Sequence, residues 1–532
     1  MRTQKSLQSI NPCTEDELVS MAALDKGGID NQLLKARQAH KQWAVVPLKE
    51  RLAYFDRLSE FISEQTDEIA GLIAVEQGKT MVEAKAAEIM PVLAAIKFLK
   101  KHDYKVLQNR RIRHDMILFT HKKSRCMFVP YGIIAVISAW NYPFSVPMMQ
   151  ILQAAAAGNA VVFKPAPGVI LISQKIQKLF AEAGFPEGLV NTLFIHDEEA
   201  PYLAGHKDID KLIFTGSTET GFKVMRTAAG QMTPVILELG GKDPAIVAAD
   251  ADLSRTAKGI VWGSMFNSGQ VCAAVERTYV ERSAAGEFIR LCVEETEKLT
   301  IGDPLKPGTD IGPLENKKQM QVVMEQIEDA VSKGAKVETG GKRMGDKGFF
   351  IEPTILTRVN HSMKVMTEET FGPVLPVMEV DSIDQAIAMA NDSPYGLSAY
   401  GWTSSRKTAE KLQRELHAGT VMINDATSSW GEPQAPWGGF KKSGIGRTHS
   451  TFGLREMVQV KYVSYDRGSN TSNLWWFPYS RETDRIMKRA VDLMFSRKLV
   501  RKLAALPALV KSKRFIKSVH WKHIILNIKK LF

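Results

Sequence analysis

Cys272, in the stretch "MFNSGQVCAAVERTYV", is the residue best suited to covalent chemistry. A free thiol with a pKa near 8.5 is only about 3% thiolate at pH 7, so a nucleophilic cysteine needs an activating environment. Gly269 and Gln270 precede it and mark a turn, where backbone N–H groups can approach a ligand and favour a thiolate. Taken singly, such a cysteine is more often a small buried hydrophobe, and it is the context that raises the catalytic reading. Upstream, Glu238 interrupts the strand-like run of "PVILELGGKDP". It is either a salt-bridged strand-end carboxylate or one whose pKa an apolar site raises toward that of a general base. In "VISAWNYPF", Asn141 is either a turn residue or an amide donor for a developing oxyanion. Lys164 of "VVFKPAP" and the Gly/Ser/Thr turn "FTGSTETG" stand where strands end, the place at which open α/β sheets bind ligands and helix N-termini hold phosphate. No G-x-G-x-x-G fingerprint follows any strand.

These residues must be positioned by the elements around them. "GIIAVISAW", "AVVFKPAP", "NTLFIH", "KLIFTGS" and "TPVILELGG" are short β-branched runs, each followed by a turn and a helical pattern. Continuous apolar strands alternating with helices predict a parallel sheet covered on both faces. A second series begins at Asp243 with "DPAIVAAD", "RTYVER", "GFFIEPTIL", "PVLPVMEV", "LSAYGWT" and "GTVMIND". The fold class is therefore α/β, with two doubly wound parallel-sheet domains, since 532 residues exceed one compact core. Ile29 to Lys101 reads as helical, punctuated by Gly78 and Pro91. "RIRHDMILFTHKKSRCMFVP" predicts a hairpin around the polar turn His121 to Ser124.

In this order, "SAWNYPF", "VVFKPAP", "FTGSTETG", "LELGGKDP", "FNSGQVC", "EETFGP", "NDSPYGL" and "PWGGFKKSGIGR" resemble the aldehyde dehydrogenase superfamily, from about Asn11 to Val463. The resemblance implies an NAD(P)-binding domain at 1–111 and 130–239, and a catalytic domain at 240–445. It also implies a small bridging β element at 112–129 and 446–463 that pairs subunits into a homodimer or tetramer. By the same resemblance Cys272 is the nucleophile, Glu238 the base that helps water hydrolyse a thioester, and Asn141 with the Cys272 N–H the oxyanion site. NAD or NADP would be held by Trp140, Lys164, Pro167, Gly216, Ser217, Leu239, Glu369 and Phe371. One departure bears on the cofactor: NAD-preferring members often carry an acid three residues after the lysine, and here Pro167 stands there, so NADP should be tolerated. Trp430 and Trp437 suggest an apolar or aromatic lining and a lipophilic aldehyde. The rivals are a coenzyme A-acylating relative and a catalytically silent binding protein on the same fold.

The net charge of +12 resides in the tail, where residues 464–532 hold 16 Lys/Arg against 4 Asp/Glu. The spacing of Met487, Val491, Phe495, Leu499 and Leu503 predicts a basic amphipathic helix from Ile486 to Leu506, ended by Pro507. Phe515, Ile516, Val519, Ile524, Ile525 and Ile528 form a second apolar face beside Trp521. Packing on the enzyme's own surface is one use of such faces. In-plane attachment to an anionic membrane accounts for the Trp, the apolar faces and the basic rims together, whereas no nucleic-acid-reading module accompanies the charge. Four cysteines without paired or metal-ligand spacing and a start lacking an apolar signal region point to a cytoplasmic, metal-free enzyme.

Overall fold

The structure is a computed structural model that describes residues 6–119, 122–466 and 473–518. The chain divides into two compact units, one within Met1–Val106 and Pro130–Val458, the other within Leu107–Val129 and Gln459–Phe532.

The first unit opens with an antiparallel hairpin, β1 (Ser6–Ile10) and β2 (Glu17–Ala22), whose polar strands carry little apolar alternation. The helical region follows as Lys26–Trp43, Leu48–Glu64 and Thr66–Gln77, then an irregular helix to Leu107. Asp25 caps the first helix by accepting from Gly28 N–H, and Gly78 ends the third in a left-handed conformation. Pro91 does not stop the last helix. It comes just after a π-helical segment, Ala84–Ile89, across whose wider turn the Met90 N–H still reaches the Lys85 carbonyl.

The predicted hairpin exists, in the second unit, with a different connection. β3 (Arg110–Ile112) pairs antiparallel with β4 (Lys122–Pro130), and Ile112 faces Ser124. Lys122 to Ser124 thus lie in a strand rather than in the turn, while His121 falls outside the described residues. The described part of the connection, residues 113–119, includes the short 3-10 turn Ile117–Phe119.

Back in the first unit, β5 (Ile133–Ile137), β6 (Ala160–Lys164), β7 (Val190–Thr192), β8 (Lys211–Thr215) and β9 (Val235–Glu238) run parallel in the order β9-β8-β5-β6-β7. Every residue of β5 and β6 is buried, as expected for strands covered on both faces. The second sheet comprises β10 (Asp243–Val247), β11 (Val275–Glu281), β12 (Lys336–Thr339), β13 (Thr354–Thr357), β14 (Val374–Val380), β15 (Ser398–Trp402) and β16 (Thr420–Ile423). Its order is β12-β13-β14-β11-β10-β15-β16, parallel except for β12. A two-residue strand, β17 (Gly444–Ile445), then returns to the first sheet and pairs antiparallel with β9, placing Gly444 opposite Glu238. The α/β architecture with two parallel-sheet layers is therefore present, each sheet carrying one antiparallel edge.

In the second unit β18 (Val458–Asp466) completes a three-stranded sheet, β18-β4-β3, where the Tyr462 hydroxyl donates to Ser124 Oγ at 2.9 Å. The predicted single tail helix is two helices, Arg481–Phe495 and Leu499–Lys511. The break falls at Ser496, whose hydroxyl accepts from the Lys498 N–H and so competes with the helical ladder. Pro507 lies inside the second helix, which continues because Ala505 and Leu509 on either side of it are packed. The buried face is Ile486, Ala490, Leu493, Ala505, Leu509 and Phe515, clustered with Leu118 and Leu474. Of the predicted stripe, Met487 is half-buried against this cluster, while Val491, Phe495, Leu499 and Leu503 point outward. Val519, Trp521, Ile524, Ile525 and Ile528 lie outside the described residues. No described helix is long and apolar enough to cross a membrane.

Candidate active site

Cys272 follows a backbone that only particular residues tolerate. Asn267, Ser268 and Gly269 are all left-handed, with φ of 53°, 55° and 73°. Gly269 is obligatory, because a Cβ there would stand 2.0 Å from the Gly372 carbonyl oxygen. The two non-glycine residues are held by several hydrogen bonds. Asn267 N–H donates to Glu83 Oε1 at 2.8 Å, and its side-chain amide donates to the Asn141 and Gln270 carbonyls. Ser268 Oγ donates to the Gly312 carbonyl, and Gln270 Oε1 accepts from Glu315 N–H.

Asn141 comes from the loop after β5. Its Nδ2 donates to the Gln270 carbonyl at 3.1 Å, which ties the amide to the chain two residues before Cys272. Its own carbonyl accepts from Lys79 Nζ at 3.0 Å. Lys79 is fully buried, ion-paired with Glu88 at 2.6 Å and seated on the Tyr142 ring. Glu88 in turn accepts from the Phe144 and Ser145 N–H groups. Removing one partner of so buried a pair leaves an uncompensated charge at a cost of about 3–5 kcal/mol, so this network is the anchor of the Asn141 loop.

Glu238 terminates β9. Its Oε1 accepts from the Thr448 hydroxyl at 3.4 Å, and its Oε2 has no hydrogen-bond partner. Burial pushes its carboxyl up to about 8, an effect that the Arg447 charge and the Thr448 hydroxyl only partly oppose. Burial also drives the Cys272 thiol well above the ordinary range, reinforced by the carboxylates of Asp243, Glu238 and Glu369. Glu369 is held against the Gly240–Gly241 backbone, whose Gly241 N–H donates to Oε1 at 3.0 Å. A side chain on Gly240 would collide with that carboxylate at 2.4 Å, which explains the glycine pair in "LELGGKDP". Burial and the neighbouring Glu276 raise the Glu369 carboxyl to about 8.

One cavity of ≈ 850 Å³ brings together Cys272, Glu238 and Asn141 with Trp140, Gly216, Ser217, Leu239, Glu369 and Phe371. Trp140 and Phe371 meet edge to face at 5.4 Å. Ser217 caps the helix Thr218–Ala229 by accepting from Thr220 N–H, so the positive end of that helix faces the cavity beside Gly216. A helix N-terminus, a carboxylate backed by glycines and flat aromatic surfaces are a donor set that fits a dinucleotide. Lys164 and Pro167 do not line this cavity. Lys164 sits at the end of β6, nearly buried, with its Nζ on Asp197 Oδ1 at 2.6 Å.

The rest of the wall is mixed, with Gln150, Lys258, Glu295 and Asp310 beside a large apolar part. Val82, Ala86, Ala87 and Pro91 come from the π-helical region, and Val261, Trp262, Met265 and Phe266 from the helix before the Cys272 loop. Trp430 and Trp437 also line it, packed edge to face at 5.2 Å. The π-helical wall has no signature in hydrophobic periodicity. The Thr80-x-x-Glu83 capping box is a readable signal beside it: both its reciprocal hydrogen bonds are formed, and the same Glu83 carboxylate also holds Asn267. No group of three or more His, Cys, Asp or Glu among the described residues is placed to hold a metal ion.

Residues 1–463 match the model of the aldehyde dehydrogenase family. The chain belongs to that family. Among its aldehyde dehydrogenase relatives, 4,4'-diapolycopene aldehyde oxidase of a Methylomonas species is 37% identical, over 88% of this chain and 87% of its own length. Peroxisomal aminoaldehyde dehydrogenase 1 of Pisum sativum is 36% identical, over 86% of this chain and 92% of its own. The structure of an aldehyde dehydrogenase from Bacillus cereus in complex with NAD+ superposes with a TM-score of 0.84 at 35% identity, covering 87% of this chain and 94% of the other. As an aldehyde dehydrogenase, this protein is an oxidoreductase acting on the aldehyde group.

Proposed function

We propose that this aldehyde dehydrogenase uses NAD or NADP to oxidise a lipophilic aldehyde to its carboxylic acid, with Cys272 as nucleophile. The observation that carries the reading is the shared cavity, in which a thiol, a buried carboxylate with a vacant oxygen and an anchored amide meet. The Cys272 thiol releases its proton to water and the sulfur adds to the carbonyl carbon to give a thiohemiacetal oxyanion. Asn141 Nδ2 and the Cys272 N–H take the oxyanion, and one such donor is typically worth about 2.7–4 kcal/mol. NAD(P), when bound, supplies acceptance of the hydride that leaves this carbon. The thioester left on Cys272 is then hydrolysed by a water whose proton goes to Glu238. Trp140, Gly216, Ser217, Leu239, Glu369 and Phe371 hold the cofactor against the sulfur, while Lys164 and Pro167 serve its adenosine end.

The apolar part of the wall supports a lipophilic substrate, and the name of the Methylomonas relative pairs this scaffold with such an aldehyde. A panel of aliphatic and aromatic aldehydes is expected to show kcat/KM rising with apolar size, by about fifteenfold for each added methylene pair at about 0.8 kcal/mol per CH₂ until the cavity is filled. A preference for small or charged aldehydes would overturn the substrate class. Glu238 favours hydrolysis over transfer of the acyl group to coenzyme A, and the same panel run with coenzyme A should release no acyl thioester.

The domain roles follow the chemistry: residues 1–111 and 130–239 carry the cofactor sheet, and 240–445 the Cys272 sheet. Residues 112–129 and 446–463 bridge subunits. Strand β18 is the long, exposed edge of its sheet, showing Val460, Tyr462 and Tyr465, and an edge of this kind pairs with another strand. A homodimer or tetramer results, in the cytoplasm.

The tail holds the enzyme against an anionic membrane face. Val491, Phe495, Leu499, Val500 and Leu503 are exposed, with Arg497, Lys498 and Arg501 exposed among them. A rim of one charge sign disfavours contact with a second copy and suits acidic lipid. At about 1 kcal/mol per basic residue, changing these three to Gln should weaken partition onto phosphatidylserine vesicles about a hundredfold. Flotation of the full-length protein at low and high salt measures this, and salt-independent binding or none would remove the membrane reading.

A further inference from the structure

The ion pair at the end of β6 bears on which cofactor is used. Strands β9, β8, β5 and β6 are consecutive neighbours, so their C-terminal ends form a row from Glu238 to Lys164. Three strand spacings make about 14 Å, the reach of an extended dinucleotide whose nicotinamide lies beside Glu238. Ligands of open α/β sheets lie across such strand ends, so the adenosine ribose arrives at Lys164. The loop that follows Lys164 offers no carboxylate, because Pro167 occupies the position where one would serve.

A carboxylate nonetheless stands there, delivered by the neighbouring strand. β7 pairs with β6, Phe163 opposite Thr192, and the chain leaving β7 turns at Asp197 to set its Oδ1 2.6 Å from Lys164 Nζ. Lys164 is 3% exposed and Asp197 74% exposed, so the lysine is sheathed and the acid is the partner that meets an incoming ligand. Glu198 and Glu199 follow directly in the same 3-10 turn, leaving three acids at this corner.

We propose that Asp197 is the residue that selects NAD over NADP, accepting a hydrogen bond from the adenosine ribose 2′-OH while Lys164 donates to the adjacent ribose oxygen. A 2′-phosphate fails here for two reasons. It would bring about two negative charges onto Asp197, and it would have to take Lys164 from an ion pair already made. This assignment rests on the dehydrogenase reading and deepens it, and it replaces the NADP tolerance that Pro167 alone implies.

The test compares full-length wild type with Asp197→Asn and Asp197→Glu, by kcat/KM for each cofactor and by direct titration of each cofactor followed through tryptophan fluorescence. Wild type is expected to favour NAD at least about a hundredfold, as a site built around a hydroxyl rejects a misfit. Asp197→Asn should cut that ratio at least about tenfold, mainly through KM and Kd and with NADP gaining, whereas Asp197→Glu should retain most of the preference. Equal use of both cofactors by wild type, or an unchanged ratio in Asp197→Asn, would overturn the proposal. Discriminating binding without turnover of any aldehyde would refute the catalytic reading and still support Asp197.

Discussion

Cys272→Ala is expected to lower aldehyde-dependent formation of reduced cofactor by about 10⁴- to 10⁶-fold, the scale seen when a covalent nucleophile is removed. Fold and cofactor binding should survive. The thiol lines the cavity rather than filling a core, so the change in unfolding free energy should stay within about 1 kcal/mol. The assay is steady-state absorbance with the best aldehyde of the panel, alongside intact-protein mass after brief exposure to substrate. Wild type should accumulate an acyl adduct and the alanine variant none. In the free enzyme the thiol is held protonated by its buried setting and by the carboxylates of Asp243, Glu238 and Glu369. Alkylation by iodoacetamide should therefore be slow at neutral pH and accelerate as pH rises, and turnover by the alanine variant would sink the thioester route.

Glu238→Gln should separate the two halves of the reaction. Sulfur attack and oxidation can still proceed, but no carboxylate remains to take a proton from water. Rapid mixing should show about one equivalent of reduced cofactor per site and then a stall, with kcat lowered about 10²- to 10⁴-fold. In wild type, kcat should climb with pH and level off above about 8, where Glu238 becomes ionised, and the variant should lose that limb. The same group has a stability consequence of definite sign. Its carboxyl is raised from the ordinary 4.5 to about 8 in the folded state, so the folded protein holds a proton that the unfolded chain has lost. That contribution is fully present below pH 4.5 and fades as pH rises through 8. Glu238→Gln, always neutral, should match wild type at pH 5 and exceed its resistance to urea at pH 9. A variant that turns over with normal kcat would show that another group activates the water.

Much of the site was legible because its residues sit in short local motifs. The glycines of "FNSGQVC" and "LELGGKDP" announce close backbone approach, and the structure finds Gly269 against Gly372 and Gly240 against Glu369. The parallel strands of both sheets were legible from continuous apolar runs, whereas the antiparallel edges β12 and β17 were not. Other features were not. Nothing in the periodicity of Met487 to Leu503 distinguishes the face that packs from the face left outward, because that choice is made by Leu118 and Leu474, far apart in sequence. The Ser496 break depends on one side-chain hydrogen bond, and the survival of the helix through Pro507 depends on packing around it.

By itself, then, the sequence determined the chemistry's inventory: a thiol, a carboxylate and an amide on strand ends of an α/β fold, with a basic tail. Residue type and local spacing carry that information. Tertiary structure decided how those groups behave. The value of about 8 for Glu238 is a desolvation effect summed over every element around it. The cavity wall is assembled from the π-helical segment, the Cys272 sheet and the Trp430 loop. The carboxylate facing Lys164 is supplied not by the next residues along the chain but by the turn that follows the adjacent strand. Burial, field and strand adjacency depend on neighbours remote in sequence, and only the folded chain brings them within reach.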